Sequence, residues 1–209
     1  MELFRIIESQ NGVLYPYRAT QNGERARQLA LLLENTKPEN LYPEWHTLIA
    51  TPFRYSPPHT IARFRPAYGK NIFYGSALEE TALYEHAFHF MRQRLHLAEI
   101  NQNGTRTIFS VEANTNHSIN LKDYEDCSLI MNKNDYGASH QFIANKASTF
   151  IIYPSCRDPQ QRENAAILDI KHLKKTLEWQ TPIHFFYDNE KHNLHWLEYD
   201  LAIEWVQVA

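Results

Sequence analysis

Two stretches of the chain gather side chains able to take part in chemistry. The first holds Arg63-Phe64, then Phe73-Tyr74-Gly75-Ser76, then Glu80-Thr81-Ala82-Leu83-Tyr84-Glu85. The second is Tyr153-Pro154-Ser155-Cys156-Arg157, followed by Asn164. A guanidinium such as that of Arg63 is a rigid fork of donors suited to phosphate or pyrophosphate, and Arg54 and Arg157 are further anion ligands of the same kind. Tyr74 combines an aromatic face with a hydroxyl. Glu85 supplies a carboxylate able to stabilise a developing cation, and Ser155, on a turn after a strand, can donate to a phosphate oxygen. Taken singly, each also has a plain structural reading. Glu85 is then a solvated helix residue, Tyr74 a half-buried strand tyrosine and Arg63 a surface ion-pair partner.

Other residue types are excluded more readily. Ser155 does not lie in a G-x-S-x-G elbow, so it is no serine-hydrolase nucleophile. Cys156 reads as a buried small residue rather than a thiolate. His86 and His89, and His192 and His195, lie three apart but match neither H-E-x-x-H nor H-x-x-E-H. With 11 histidines in the chain, such pairs arise by chance. No metal site is assigned, and a metal-dependent hydrolase stays only as an alternative. Glu79 and Glu80 fall in the first turn of a helix, where acidic side chains favour its dipole.

These groups must be positioned by a small set of elements. Leu3–Glu8 reads as an opening strand followed by a polar turn at Ser9-Gln10-Asn11-Gly12. Gly23–Glu34 is a helix ended by Asn35, Thr36 and Pro38. Residues 42–68 carry Pro43, Pro52, Pro57, Pro58 and Pro66 and are expected to form a long irregular surface segment. Asn71–Tyr74 is a short strand leading into a turn at Gly75-Ser76, and Leu78–Leu97 is the strongest helical pattern. Arg106–Glu112 alternates as a half-buried strand, and Ser139–Ala147 is a second helical pattern. Phe150–Tyr153 is a strand stopped by Pro154. Strands at Ala165–Ile170, Ile183–Tyr187, Leu194–Tyr199 and Ala202–Val208 complete a strand-rich C-terminal half. Strands and helices without regular alternation predict an α+β domain.

Composition bounds the rest. A chain of 209 residues suits one domain, residues 1–209, rather than two. The formal net charge of −3 and the absence of a basic stripe argue against direct nucleic-acid binding. Cys127 and Cys156 are the only cysteines, which excludes a disulfide framework and fits a reducing compartment. The N-terminus lacks a signal-peptide pattern, and no window approaches the roughly 18 apolar residues that span a bilayer. The expectation is a cytoplasmic protein with no membrane partner, with homo-oligomerisation left open.

The ordered set from Arg63 to Asn164 resembles the RES-domain family. Its core is an arginine–aromatic pair, a strand tyrosine, a small-residue turn, a helix bearing E-T-A-L-x-E, and a later strand ending in proline–serine. Thr51-Pro52-Phe53-Arg54-Tyr55 and Phe4-Arg5-Ile6-Ile7-Glu8-Ser9-Gln10 are similar to one subgroup. The resemblance spans about residues 4–170, whereas 171–209 matches no named motif. Arg63 and Tyr74 stand one residue further apart than the family spacing, so the family arginine is Arg63 or Arg65. The resemblance implies a single compact domain like the ADP-ribosyltransferase fold, with mixed or antiparallel sheets and flanking helices. It also implies a toxin that breaks the nicotinamide–ribose bond of NAD⁺, with Arg63, Tyr74, Glu85 and Ser155 catalytic. Arg54, Arg63, Tyr74, Ser155 and Arg157 would bind the dinucleotide. NAD⁺ is then a substrate and no cofactor is required beyond it, with the bond broken either by phosphorolysis, inorganic phosphate being the co-substrate, or by hydrolysis. The implied partner is an Xre-type antitoxin. The alternatives are an ADP-ribosyltransferase with a protein target, or a non-catalytic member that binds a nucleotide or an antitoxin.

Bond chemistry fits that implication. The nicotinamide leaving group is already cationic and needs little acid catalysis. The reaction needs a rigidly held dinucleotide and a carboxylate beside the oxocarbenium-like ribose.

Overall fold

The opening strand expected at Leu3–Glu8 pairs as β1 (Glu2–Glu8). The protein is described from a computed structural model that covers residues 1–8, 22–37, 39, 41–54, 61–66, 68–69, 71–95, 101–146 and 148–209. The expected turn at 9–12 lies outside them. Helix α1 spans Gly23–Asn35. In the proline-rich region, part of the expected irregular segment is instead a two-turn helix, α2 (Thr47–Arg54), with Pro52 inside it. Burial of Ile49 and Ala50 against the sheet outweighs the local cost of that proline. Nor is the whole segment on the surface, because Phe64 and Arg65 are buried.

Strand β2 (Phe73–Ser76) runs through the expected turn at Gly75-Ser76. Ser76 is paired on both sides, with Phe4 of β1 and with Asn164 of a later strand. Gly75 serves close packing rather than a turn, since an added Cβ would lie 3.1 Å from both Leu3 and the Phe73 ring. The long helix α3 covers Glu79–Arg94. After it come β3 (Gln102–Glu112), β4 (Ile119–Asn120), α4 (Cys127–Ile130) and α5 (Gly137–Ala144). Next are β5 (Phe150–Pro154), β6 (Glu163–Ile167), β7 (Trp179–Asp188), β8 (Asn193–Trp196) and β9 (Leu201–Glu204). The last expected strand is cut short. At Glu204 the chain turns into α6 (Trp205–Val208), started by a reciprocal capping box between Glu204 and Gln207.

Among the described residues, nine strands form one sheet in the order β4-β5-β6-β2-β1-β3-β7-β8-β9. Every neighbouring pair is antiparallel except β4–β5. The architecture is a single α+β domain, a mixed sheet with flanking helices, as expected. No helix of the described residues is long and apolar enough to cross a membrane.

Directly opposed residues share a sheet face, so the registers decide where the site lies. Phe4 opposes Ser76, Tyr74 opposes Ala166, and Tyr153 opposes Asn164. These residues therefore share one face with Ile6 and Ile108. On that face α3 and α6 pack over the β7–β9 end, while α4 and α5 pack over the β5 and β6 end. Phe73, Phe109, Phe150 and Ile167 fill the other face with α2. Between the two clusters of the first face lies a polar gap.

One buried base lies on α3 itself. Arg106 Nε donates to His86 Nε2 at 3.1 Å, and burial together with Arg106 pushes the His86 pKa down from 6.5 to about 3. The unfolded chain therefore binds more protons between those values. The stability contributed by neutral His86 is complete above 6.5 and is lost as pH falls towards 3. Thermal melting is expected to fall between pH 6.5 and about 4.5, by on the order of 1 kcal/mol of stability per pH unit. His86→Gln, which keeps an acceptor but does not titrate, should show a shallower slope. Equal slopes for the two proteins would assign the acid sensitivity to other groups.

Candidate active site

Thr81, Glu85 and Phe88 are four and three residues apart and so form one line along α3. That line faces the connection between β5 and β6. Pro154 ends β5, and Ser155 then closes the connection through its N–H to Arg162 O, at 2.8 Å. The Ser155 hydroxyl accepts from the N–H groups of Arg157 (3.1 Å) and Asp158 (3.0 Å). Asp158 ties this loop to the helix. It accepts from Thr81 Oγ1 at 2.7 Å and is gripped by Arg162 through Nε (2.5 Å) and Nη2 (3.0 Å). Burial pushes the Asp158 carboxyl up, but the hydrogen bonds from Arg162, Thr81 and the Gln160 N–H outweigh it and hold the pKa below the usual range. Arg162 also holds Glu80 at 2.5 Å, and the two carboxylates raise its own pKa.

Glu85 stands at the middle of that line. Its Oε1 accepts from Ser155 Oγ and from Asn164 Nδ2, both at 2.6 Å. Asn164 Oδ1 in turn accepts from Ser76 Oγ at 2.7 Å. Ser155, Asn164 and Ser76 are all buried, so the carboxylate is reached from beneath by a fixed polar network.

Arg63 enters from a separate turn. Ala62 and Arg65 exchange two backbone hydrogen bonds, and Phe64 between them has φ 63°. A bulky residue in the left-handed region costs roughly 1–2 kcal/mol and persists where its surroundings over-determine it. Here the Phe64 ring packs edge-on against Tyr153, and its N–H meets Ser139 Oγ at 3.5 Å. The Tyr74 hydroxyl donates to Arg63 O. The turn aims the Arg63 guanidinium at Ile130 O (3.1 Å) and Cys156 Sγ (3.5 Å), 4.9 Å from the Tyr136 ring centroid.

All four expected catalytic residues thus join one cluster, from Tyr74 through Arg63 and Cys156 to Ser155 and Glu85. Arg65 lies near enough to Tyr74 for its charge to act on that hydroxyl, but its guanidinium donates to Asn71 Oδ1 at 3.1 Å, and Asn71 reaches Phe53 O at 3.5 Å. Arg63 is therefore the arginine at the Glu85 cluster. Arg54 ends α2, which packs on the other face of the sheet. Arg157 is buried with its guanidinium 3.5 Å from the Phe88 centroid, and Nη1 donates to Val208 O at 3.0 Å. Burial lowers its pKa. Phe88 stacks in turn on Trp205, at 5.5 Å and 9°.

Four expected donors have partners within the protein in this arrangement, Arg63 among them through Ile130 O and Cys156 Sγ. The single proton of Ser155 goes to Glu85 rather than to a phosphate, that of Tyr74 goes to a main-chain carbonyl, and one arm of Arg157 holds α6. Burial raises the pKa of Tyr74 and of Tyr153, so both keep their protons. Burial also raises that of Cys156, whose thiol donates to Met131 O at 3.2 Å. The thiol is thus protonated, and half-buried rather than buried as expected.

A cavity of about 500 Å³ opens at the start of α3, lined by Phe4, Leu78, Glu79, Glu80, Tyr199 and Leu201. It contains none of the cluster, and its carboxylates are engaged, Glu79 with the Tyr199 hydroxyl (2.5 Å) and Glu80 with Arg162. The convergence of Glu85, Arg63 and Ser155 is the better guide to chemistry. Asn164 and Ser76 are the members that residue-by-residue reading left without roles. The usable signal was the Thr81–Glu85–Phe88 line, which calls for polar partners on whatever faces it.

The fold and its polar gap define an α+β domain built around one buttressed carboxylate and one aimed arginine. Residues 41–185 match the RES domain, and the chain belongs to the RES-domain family. That family is associated with toxin–antitoxin systems and with NAD-related enzymatic activity. No curated protein matches the chain.

Proposed function

We propose that this protein cleaves the nicotinamide–ribose bond of NAD⁺, passing the ADP-ribosyl group to inorganic phosphate or to water. It would act as the toxin of a pair whose Xre-type antitoxin covers the Arg63 side of the cluster. The observation that carries this reading is the Glu85 carboxylate, held through one oxygen by Ser155 and Asn164 beside the Arg63–Cys156 contact. In this reading Arg63 takes the pyrophosphate or the attacking phosphate, and the Tyr74 ring borders the nicotinamide ribose. Glu85 faces the ribose as positive charge develops on it. Rigid placement of the dinucleotide supplies much of the acceleration.

Induction of the protein alone in bacteria is expected to arrest growth and lower cellular NAD⁺. Purified protein should release nicotinamide from NAD⁺. Incubations with and without phosphate, followed by product identification, then name the acceptor. Normal growth with unchanged NAD⁺, at confirmed soluble expression, would remove the toxin reading. ADP-ribose appearing on a protein instead of on phosphate or water would change the acceptor but keep the bond broken.

A further inference from the structure

Asn164 presents two chemically opposite ends, and its neighbours assign them. Ser76 has a hydroxyl that donates, and it meets Oδ1 at 2.7 Å. Glu85 is an acceptor, and it meets Nδ2 at 2.6 Å. A flipped amide would set its carbonyl against the carboxylate and lose the bond to Glu85, while the Ser76 hydroxyl, able to accept as well as donate, would follow either orientation. The strand registers make the arrangement rigid, because Ser76 and Asn164 are opposed partners on β2 and β6, and Tyr153 opposes Asn164 from β5. Ser155 supplies the second donor from the loop that Asp158 and Arg162 tie down. Both donors converge on Oε1, and among the described residues no hydrogen bond reaches Oε2.

Resting on the reading above, we propose that Asn164, oriented by Ser76, is a positioning residue that locks Oε1 of Glu85 and turns Oε2 towards the substrate ribose. The pair acts through Glu85 and touches no substrate itself. The other charged or titratable groups around the carboxylate are His89 on α3, Tyr153 on β5, and Cys156 and Arg157 on the loop. Arg63 reaches the cluster through Cys156. None of these fixes the amide, so the Ser76–Asn164 pair can be tested by itself.

The test follows the Asn164 side-chain amide by nitrogen–proton NMR, with its signals assigned by loss in Asn164→Ala, alongside NAD⁺ kinetics. An amide held between Ser76 and the Glu85 carboxylate should give two well-separated proton signals, because one proton is engaged by a carboxylate oxygen. Glu85→Ala should move that proton towards the position of a free amide, Ser76→Ala should bring the two signals closer together, and Ser76→Thr, which keeps the hydroxyl, should leave them in place. In kinetics, Asn164→Ala is expected to lower kcat by about tenfold or more with KM little changed, as misplacement of a reacting group does. Unmoved Asn164 amide signals in both Glu85→Ala and Ser76→Ala, with thermal melting intact, would overturn the proposal. So would a loss seen only in KM. If the parent protein cleaves no NAD⁺ yet the amide signals move as stated, the positioning pair stands and the proposed reaction falls.

Discussion

Glu85→Gln is expected to bind NAD⁺ within a few-fold of the parent affinity yet turn it over slower by a factor on the order of 10²–10³. The substitution keeps the length and shape of the side chain. With its amide oxygen in the Oε1 position, it still accepts from Ser155 and Asn164, so the loop and strands have no reason to move. What disappears is the negative charge facing a ribose that becomes cationic only in the transition state. Calorimetric affinity, single-turnover rate and melting temperature together check this, since only the rate should collapse. Near-parental turnover would remove Glu85 as the catalytic carboxylate. Glu80 is the nearest alternative in sequence, but Arg162 holds it at 2.5 Å, so a replacement would have to come from outside this helix turn.

Arg63→Ala should fail at the earlier step. A charge-assisted contact to phosphate contributes about 1.5–3 kcal/mol, so affinity for NAD⁺ is expected to fall on the order of tenfold to a hundredfold. Turnover at saturating NAD⁺ should be affected less. The cost to folding should be modest: the Tyr74 bond goes to the main-chain oxygen of Arg63, which alanine retains, and what is lost is the half-buried side chain's contacts with Ile130 O, Cys156 and the Tyr136 ring. Arg65→Ala is the matching control. Arg65 is buried with Asn71 as a partner, so its loss should show in melting temperature more than in affinity. Titration of each variant with NAD⁺ separates the two. Normal binding by Arg63→Ala with lost binding by Arg65→Ala would move the family arginine to position 65.

Much of the domain was legible in the chain because local rules dominate there. The alternation of Arg106–Glu112 in β3, the helical pattern of α3 and the stop of β5 at Pro154 follow from periodicity and from the missing proline donor. The errors fall where a neighbour overrides local preference. Gly75-Ser76 has the composition of a turn, yet β1 and β6 flank it and Leu3 needs the space a side chain would fill. Pro52 argues against a helix, yet burial of Ile49 and Ala50 holds one.

The sequence by itself determined the inventory: one α+β domain, a membership marked by residues 63 to 164, and the four side chains best equipped for chemistry. Side-chain type and near-neighbour spacing are enough for that, because they are local properties. Only the tertiary structure decided which end of each group is engaged. Ser76 and Asn164 are 88 residues apart, and Ser155 and Glu85 are 70 apart. Strand register and the Asp158–Arg162 tether bring them within hydrogen-bond range, and no spacing rule along the chain encodes that meeting. The same holds for the choice between Arg63 and Arg65. Two residues apart in sequence, they are parted by the left-handed turn at Phe64, which sends one guanidinium towards Cys156 and the other towards Asn71.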